Sequence, residues 1–173
     1  MKKFLLPLLF SFSLYAHPHA FIDVYPTITF HHGVANTIHF RWKIDEMTSA
    51  MLMMDIDKNS DGKIDAKESA FAKKNYFDLF KEYDFYTSIE VDGDPIEMPQ
   101  PQNFKASLED SSLIYSFDIQ GDFDKKHTVV EFGDSDYYMA FILKNEFITV
   151  AGAQADAIGV DNDFYYGYKM EFR

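Results

Sequence analysis

The chain has 173 residues, and its 16 Lys and Arg against 28 Asp and Glu give a formal net charge of -12. This length suits one ordinary domain with a single core, and the negative charge argues against a nucleic-acid partner and favours cations or basic partners. The chain contains no cysteine, which excludes disulfides, thiolate metal sites and cysteine nucleophiles.

The first residues are typical of a signal peptide for export. Two lysines precede an apolar run that ends at Leu14, and Ala16 supplies the small residue of a cleavage site. The run is shorter than the roughly 20 residues that span a bilayer. We therefore predict cleavage near Ala16, a periplasmic or secreted protein that does not span the membrane, and one folded domain over residues 17–173 after a signal peptide at 1–16. An uncleaved anchor is the alternative.

Two alternating segments predict a first β-hairpin. Apolar residues dominate the even positions of residues 20–30 and again of residues 34–44, which is the period of a strand with one buried face. A three-residue loop, His31-His32-Gly33, would bring both even sets to the core with Gly33 in the left-handed conformation. The resulting outer-face register pairs Asp23 with Arg41, Tyr25 with His39 and His19 with Asp45.

The period changes in the insertion at residues 45–84, which predicts a helix-loop-helix. Asp45 is a residue type that caps helices, and apolar residues recur behind it at helical spacing. A second helix is predicted from Ala66 to Tyr83, with an apolar stripe formed by Ala72, Tyr76, Leu79, Phe80 and Tyr83. Four methionines in the first helix are expected to pack against a sheet rather than to bind copper(I). These are Met47, Met51, Met53 and Met54.

Short alternating segments continue to the C-terminus. They lie near residues 85–91, 104–108, 113–119, 128–132, 138–143, 146–150 and 164–172, and residues 152–163 are expected to form a long loop. The predicted fold is mainly β with an α insertion, an antiparallel β-sandwich of about eight strands with one EF-hand-like helix-loop-helix after the first hairpin.

The stretch DKNSDGKIDAKE, Asp57–Glu68, resembles the calcium loop of an EF-hand. Calcium requires oxygen ligands at alternating positions, a glycine at the sharp bend and a bidentate carboxylate from the outgoing helix. The predicted Ca²⁺ ligands are Asp57, Asn59, Asp61, the Lys63 carbonyl, Asp65 through water, and Glu68. EF-hands usually occur in pairs, and no other Asp-rich stretch continues this spacing. A structural calcium ion is therefore expected rather than a switch, although a solvated acidic loop is the alternative.

Cleavage after Ala16 would place histidine at the first position of the mature chain. Such a residue offers its amine and its imidazole to one metal ion, while Pro18 contributes no N–H. The predicted ligands of this second site are His17, His19, Asp45 and Glu46. Imidazoles with a carboxylate suit zinc, copper, nickel or iron rather than calcium. A flexible polar terminus is the alternative.

Three features in order resemble the domain-of-unknown-function family 1007. They are His17-Pro18-His19-Ala20-Phe21-Ile22 behind a leader, Arg41-Trp42-x-x-Asp45-Glu46, and the calcium-like loop that follows. Members are commonly described as periplasmic components of uncharacterised transport systems, often beside nickel/cobalt-type or zinc permeases. The resemblance implies a periplasmic accessory protein for transition-metal transport that binds Zn²⁺ or Ni²⁺ and works with an inner-membrane metal permease. A family stretch at Phe132–Tyr138 departs from its expected pattern at Asp134.

Two other functions stay open at this stage. A histidine-brace copper protein or oxidase would also use an N-terminal histidine with a second imidazole, and a calcium-dependent extracytoplasmic interaction module would use the calcium loop. The sequence contains no serine elbow, zincin helix or phosphate loop. We therefore expect a binding protein rather than an enzyme.

Overall fold

The computed structural model describes residues 19–136, 138–161 and 165–173. The predicted signal peptide and His17 lie outside these residues. The strands are β1 (Ala20–Thr29), β2 (Val34–Ile44), β3 (Thr87–Val91), β4 (Asp94–Ile96), β5 (Gln102–Glu109), β6 (Ser112–Asp124), β7 (Thr128–Gly133), β8 (Met139–Ile142), β9 (Thr149–Ala151), β10 (Ala155–Asp161) and β11 (Tyr166–Phe172). The helices are α1 (Glu46–Ile56) and α2 (Ala66–Asn75), with 3₁₀ segments at Phe77–Tyr86 and Asn145–Phe147.

The strands form two sheets, so the prediction of a mainly β protein with an α insertion is confirmed. One sheet has the order β5-β6-β2-β1-β8, with β9 also paired to β1, and the other has the order β10-β11-β7-β3-β4. The predicted number of strands and the predicted all-antiparallel pairing are wrong, because the described residues contain eleven strands and β1 runs parallel to β8 and β9. The expected loop at residues 152–163 is largely strand β10, whose small and polar residues suit a sheet edge.

The two sheets share one core that contains many aromatic rings. Phe40 of β2 and Phe132 of β7 have ring centroids 5.6 Å apart in an edge-to-face arrangement, and Phe30 meets Phe172 at 4.9 Å. Both contacts join the first sheet to the second. Aromatic pairs of this geometry add stability beyond the area that they bury.

The first hairpin keeps the predicted faces but not the predicted register. Val24 pairs with Trp42 and Tyr25 pairs with Arg41, so paired numbers sum to 66 and not to the expected 64. The cause is a two-residue turn at His32 and Gly33, both with positive φ, which pairs His31 with Val34, together with one extra residue on β2 before Ile38 pairs with Ile28. A β-bulge of this kind adds one residue to one strand and shifts every later pair.

The helical insertion turns a different face inward from the one predicted. In α1 the buried residues are Ser49 and Ile56, whereas Met47, Met51 and Met54 are exposed. The predicted second helix ends early, because Tyr76 leaves helical geometry and a 3₁₀ segment follows. The expected packing role therefore holds only for Met53, which is partly buried against the core.

Two serines attach the insertion to the first sheet. The Ser49 hydroxyl donates to the Ile44 carbonyl at 3.0 Å and accepts from the Leu113 N–H of β6 at 2.8 Å. The Ser69 hydroxyl of α2 accepts from the Ala106 N–H of β5 at 2.8 Å. Both helices are thus fixed by hydrogen bonds to backbone groups of adjacent strands.

Candidate metal centre

The loop between α1 and α2 is organised around the Asp57 carboxylate. Its Oδ2 accepts from the Gly62 N–H at 2.9 Å, and its Oδ1 accepts from the Asp61 N–H at 3.2 Å. Gly62 has a φ of +72°, in the left-handed region, which glycine adopts without the steric cost of a Cβ. The glycine at the predicted bend therefore folds the chain back over the first carboxylate of the loop.

Glu68 joins the two ends of the same loop. Its side chain is only 5% exposed, and its Oε1 accepts from the Lys58 N–H at 2.9 Å, just after the end of α1. Its Oε2 accepts from the Asp65 N–H at 2.9 Å. The Asp65 carboxylate in turn accepts from the N–H groups of Lys67 and Glu68, which completes a capping box at the start of α2.

The donor chemistry of the loop fits a hard cation. Carboxylates, one amide and backbone carbonyls are the oxygen ligands that Ca²⁺ takes in proteins, and each carboxylate oxygen that accepts one N–H keeps a further lone pair. The nearby Lys58 ammonium points elsewhere, since it pairs with Asp55 at 2.6 Å and lies over the Phe71 ring. Across the described residues, no three His, Asp or Glu side chains already converge as metal ligands, because the loop carboxylates are turned toward N–H groups.

The predicted N-terminal ligands His19 and Asp45 are not paired across β1 and β2, as the predicted register required. Phe21, and not His19, lies opposite Asp45: the Asp45 N–H donates to the Phe21 carbonyl at 2.9 Å. The Asp45 carboxylate caps α1 as predicted, with Oδ1 accepting from Thr48 N–H at 2.9 Å and Oδ2 accepting from Phe21 N–H at 3.0 Å. Glu46 is exposed at the first turn of α1.

His19 lies beside the start of α1 even so. Its carbonyl accepts a 3.4 Å hydrogen bond from the Thr48 hydroxyl, and its ring packs against Tyr138 with centroids 5.1 Å apart. Within the described residues the His19 imidazole has no hydrogen-bond or ion-pair partner. The structure thus brings His19 to the helix that carries Asp45 and Glu46 without joining the side chains.

His39 of β2 and His127 of the β6–β7 turn are engaged with carboxylates. His39 Nδ1 lies 2.7 Å from an Asp118 oxygen, and His127 Nδ1 lies 2.5 Å from an Asp92 oxygen. Burial acts to raise the pKa of Asp118, but hydrogen bonds from Asn103 and His39 outweigh it and lower that pKa. These pairs lie apart from the predicted N-terminal ligands in sequence and have partners of their own.

The helix cap at Asp45 gives a first prediction. Burial acts to raise the pKa of its carboxyl, but the Phe21 and Thr48 hydrogen bonds outweigh it and leave the pKa below its ordinary value. A depressed native pKa adds stability above the unfolded pKa of about 3.9, and this stability is lost as the pH falls through the native value. Urea unfolding from about pH 6 to 2 should therefore show the advantage of wild type over Asp45→Asn shrinking as the pH falls.

Asparagine is itself a good N-cap, but it has one acceptor oxygen and so loses one of the two N–H bonds of Asp45. That loss does not vary with pH, so the change with pH isolates the charge. Glu46→Gln removes the neighbouring exposed carboxylate and should show a smaller change with pH. Parallel pH profiles for wild type and Asp45→Asn would contradict the cap assignment.

The chain is similar in sequence to a known protein family. Residues 3–157 match the family described as "Protein of unknown function (DUF1007)". The chain belongs to the DUF1007 family. The resemblance drawn from its N-terminal and calcium-like motifs is thereby confirmed as to family.

The similar curated proteins of this DUF1007 member are themselves uncharacterised. An "Uncharacterized 15.5 kDa protein in trpE 3'region" of Spirochaeta aurantia is 38% identical over 66 residues, which covers 38% of this chain and 47% of that protein. An "Uncharacterized protein" of Haemophilus influenzae is 26% identical over 116 residues, which covers 66% of this chain and 55% of that protein. The chain thus spans about half the length of these relatives, and no solved structure matches it.

Asp134 of this DUF1007 member positions the residues around His19. Its buried carboxylate accepts from the N–H groups of Asp136 at 2.9 Å, Tyr138 at 3.1 Å and Met139 at 2.8 Å. These bonds fix the turn that places Tyr138 against His19. No sequence signal indicated this role beyond the aspartate before an aromatic pair, and none indicated the anchoring roles of Ser49 and Ser69.

Among the described residues, no helix of this DUF1007 member has the length and apolar character needed to cross a membrane.

Proposed function

We propose that this protein is an exported, periplasmic metal-binding accessory of a transition-metal transport system. In this proposal a structural Ca²⁺ ion occupies the loop at residues 57–68, and Zn²⁺ or Ni²⁺ binds beside the start of α1 for exchange with an inner-membrane permease. The observation that carries the proposal is the Asp57–Glu68 loop, with its glycine bend and with Glu68 joined to both of its ends.

Calcium in this loop would act as a brace. The loop connects two helices that are each bonded to a neighbouring strand, through Ser49 and through Ser69. An ion that holds the two loop ends together would therefore fix the helix pair on the first sheet. We further infer that the two sheets are the layers of a β-sandwich carrying an EF-hand-like insertion, since Phe40 and Phe132 pack between them.

The transition-metal site is supported by position and chemistry. His19 is exposed, and its carbonyl accepts from Thr48 in the first turn of α1, where Glu46 offers an exposed carboxylate. Both Asp45 oxygens already accept N–H groups, so Glu46 is the more available carboxylate of the two. His17 and the new α-amine would complete the donor set, and a site at the start of a chain exchanges metal more readily than a closed four-ligand cage. The net charge of -12 favours cation capture.

The test is Zn²⁺ and Ni²⁺ affinity of the exported, processed protein, with its N-terminus determined by mass spectrometry. We expect His19→Ala to weaken the binding of one of these ions by about tenfold or more, because the variant removes one ligand. A tenfold change corresponds to ~1.4 kcal/mol of binding free energy. His32→Ala is the matched control, because His32 is an exposed residue of the β1–β2 turn.

Equal affinities for wild type and His19→Ala would remove the transition-metal site from the proposal. A leader that is retained, or cut elsewhere than before His17, would remove the contribution of the first-residue amine. Neither result would bear on the calcium loop, which is tested separately.

A further inference from the structure

Helix α1 carries a row of methionines on its solvent face. Met47 is 68% exposed, Met51 53% and Met54 81%. Apolar side chains in a surface helix normally face the core, and these three do not. Other residues of α1 therefore pack against the core.

The row lies on the solvent side of the helix, and Met51 also borders an apolar cleft with Leu79 and Tyr138. At 100° per residue, positions 47, 51 and 54 fall within about 60° of one another. The opposite side holds Ser49 and Ile56, which are both buried. The row, here called the methionine ridge (Met47, Met51 and Met54), therefore projects into solvent.

The chemistry of the methionine ridge suits a soft metal ion. Thioethers prefer Cu(I) to the harder divalent ions, and the chain has no cysteine to compete for it. Helix α1 contains no lysine or arginine, and its Asp55 is paired with Lys58, so the local charge that favours a cation is that of the exposed Glu46.

We propose that the methionine ridge is a Cu(I)-binding site in which Met51 is the shared ligand. Residues three or four apart on a helix have Cβ atoms about 5–6 Å apart, so Met51 can chelate with Met47 on one side and with Met54 on the other. Met47 and Met54 are about 10.5 Å apart along the axis and cannot readily form a pair without it. This site uses none of the ligands of the proposed function and does not depend on it.

The spacing predicts a specific pattern of mutant effects. Met51→Leu removes both thioether pairs, whereas Met47→Leu or Met54→Leu leaves one pair intact. We therefore expect Met51→Leu to weaken Cu(I) binding by about tenfold or more and each outer variant to weaken it less. The double variant Met47→Leu with Met54→Leu should match Met51→Leu.

The measurement is anaerobic competition for Cu(I) against a chromogenic bidentate chelator, in a His19→Ala background that removes the nearby imidazole. Leucine keeps the size and apolar character of methionine, so the variants change the ligand and little else. Met53→Leu is the matched control, because Met53 is partly buried on the core side of the same helix. Unchanged melting temperatures would show that all variants fold.

Three results would overturn the site. They are no Cu(I) binding in competition with the chelator, equal affinity for wild type and Met51→Leu, and a loss in Met53→Leu as large as in Met51→Leu. The first result would leave the methionine ridge as an apolar docking surface, a role that leucine would preserve.

Discussion

Calcium is expected to raise the melting temperature of the wild-type protein by about 5–10 °C, and Glu68→Gln is expected to abolish this rise. A ligand present at 100 times its dissociation constant stabilises the native state by about 2.7 kcal/mol. In a protein of this size each kcal/mol raises the melting temperature by about 2–4 °C. Weak extracellular calcium sites have dissociation constants of about 10⁻⁴–10⁻³ M, so a 100-fold excess requires about 10–100 mM calcium.

Glu68 is the decisive residue because both of its oxygens are used. They accept from Lys58 and Asp65 N–H groups, and a bidentate ligand at this position must present both to the ion. Glutamine offers one acceptor oxygen, so one loop N–H also loses its partner and the metal-free stability should fall as well. The quantity to compare is therefore the calcium-induced shift within each variant, measured between calcium and chelator.

Asp110→Asn provides the matched control for calcium. Asp110 is an exposed residue of the β5–β6 turn with positive φ, a conformation that asparagine also tolerates, so the variant changes charge by the same amount outside the loop. Its calcium shift should equal that of wild type. The calcium site would be contradicted if calcium raised the melting temperature of Glu68→Gln as much as that of wild type. It would also be contradicted if the wild-type melting curve were the same in calcium and in chelator.

The features predicted correctly from the sequence are those set by residues close together in the chain. Alternation placed Ile22, Val24, Phe40 and Trp42 on buried faces, and all four are buried. Period two depends only on the direction of successive side chains, so the faces survive a shift of register by an even number. The helix cap at Asp45 and the loop bend at Gly62 are likewise set by residues close in the chain.

Features that depend on the rest of the fold were predicted wrongly. The hairpin register was missed because His32 adopts a left-handed φ and β2 has one more residue than β1 between the His31–Val34 and Ile28–Ile38 pairs, neither of which interrupts the apolar pattern enough to reveal it. The inward face of α1 was missed because its residues are apolar on several sides. There the buried face is selected by Ser49, whose hydroxyl bonds to backbone on both flanking strands.

The candidate sites divide in the same way. All six predicted calcium ligands come from one continuous loop, so their order could be predicted from spacing alone. The placement of His19 depends on Asp134 and Tyr138, more than 100 residues away in sequence, and no local pattern encodes that contact. The pairing that was expected to join His19 to Asp45 failed with the register.

Replacing Phe77 by alanine is expected to lower the free energy of unfolding by about 3–5 kcal/mol, the usual cost of removing a buried phenylalanine. Phe77 is fully buried in the 3₁₀ segment that follows α2. Its ring meets Phe117 of β6 at 4.9 Å and Phe104 of β5 at 4.6 Å. The helical insertion should therefore be part of the sheet core, and its loss should destabilise the sheets.

Leu79→Ala is the matched control for this prediction. Leu79 lies in the same 3₁₀ segment and was expected on the apolar stripe, but it is 60% exposed, so its truncation should change stability by no more than about 0.5 kcal/mol.

The measurement is urea unfolding followed by both Trp42 fluorescence and far-ultraviolet circular dichroism. One shifted transition seen by both probes in Phe77→Ala is the expected result. An unshifted sheet transition, with early loss of helical signal alone, would mean that the insertion folds independently. A calcium ion in its loop could then brace the helices without stabilising the sheets on which they rest.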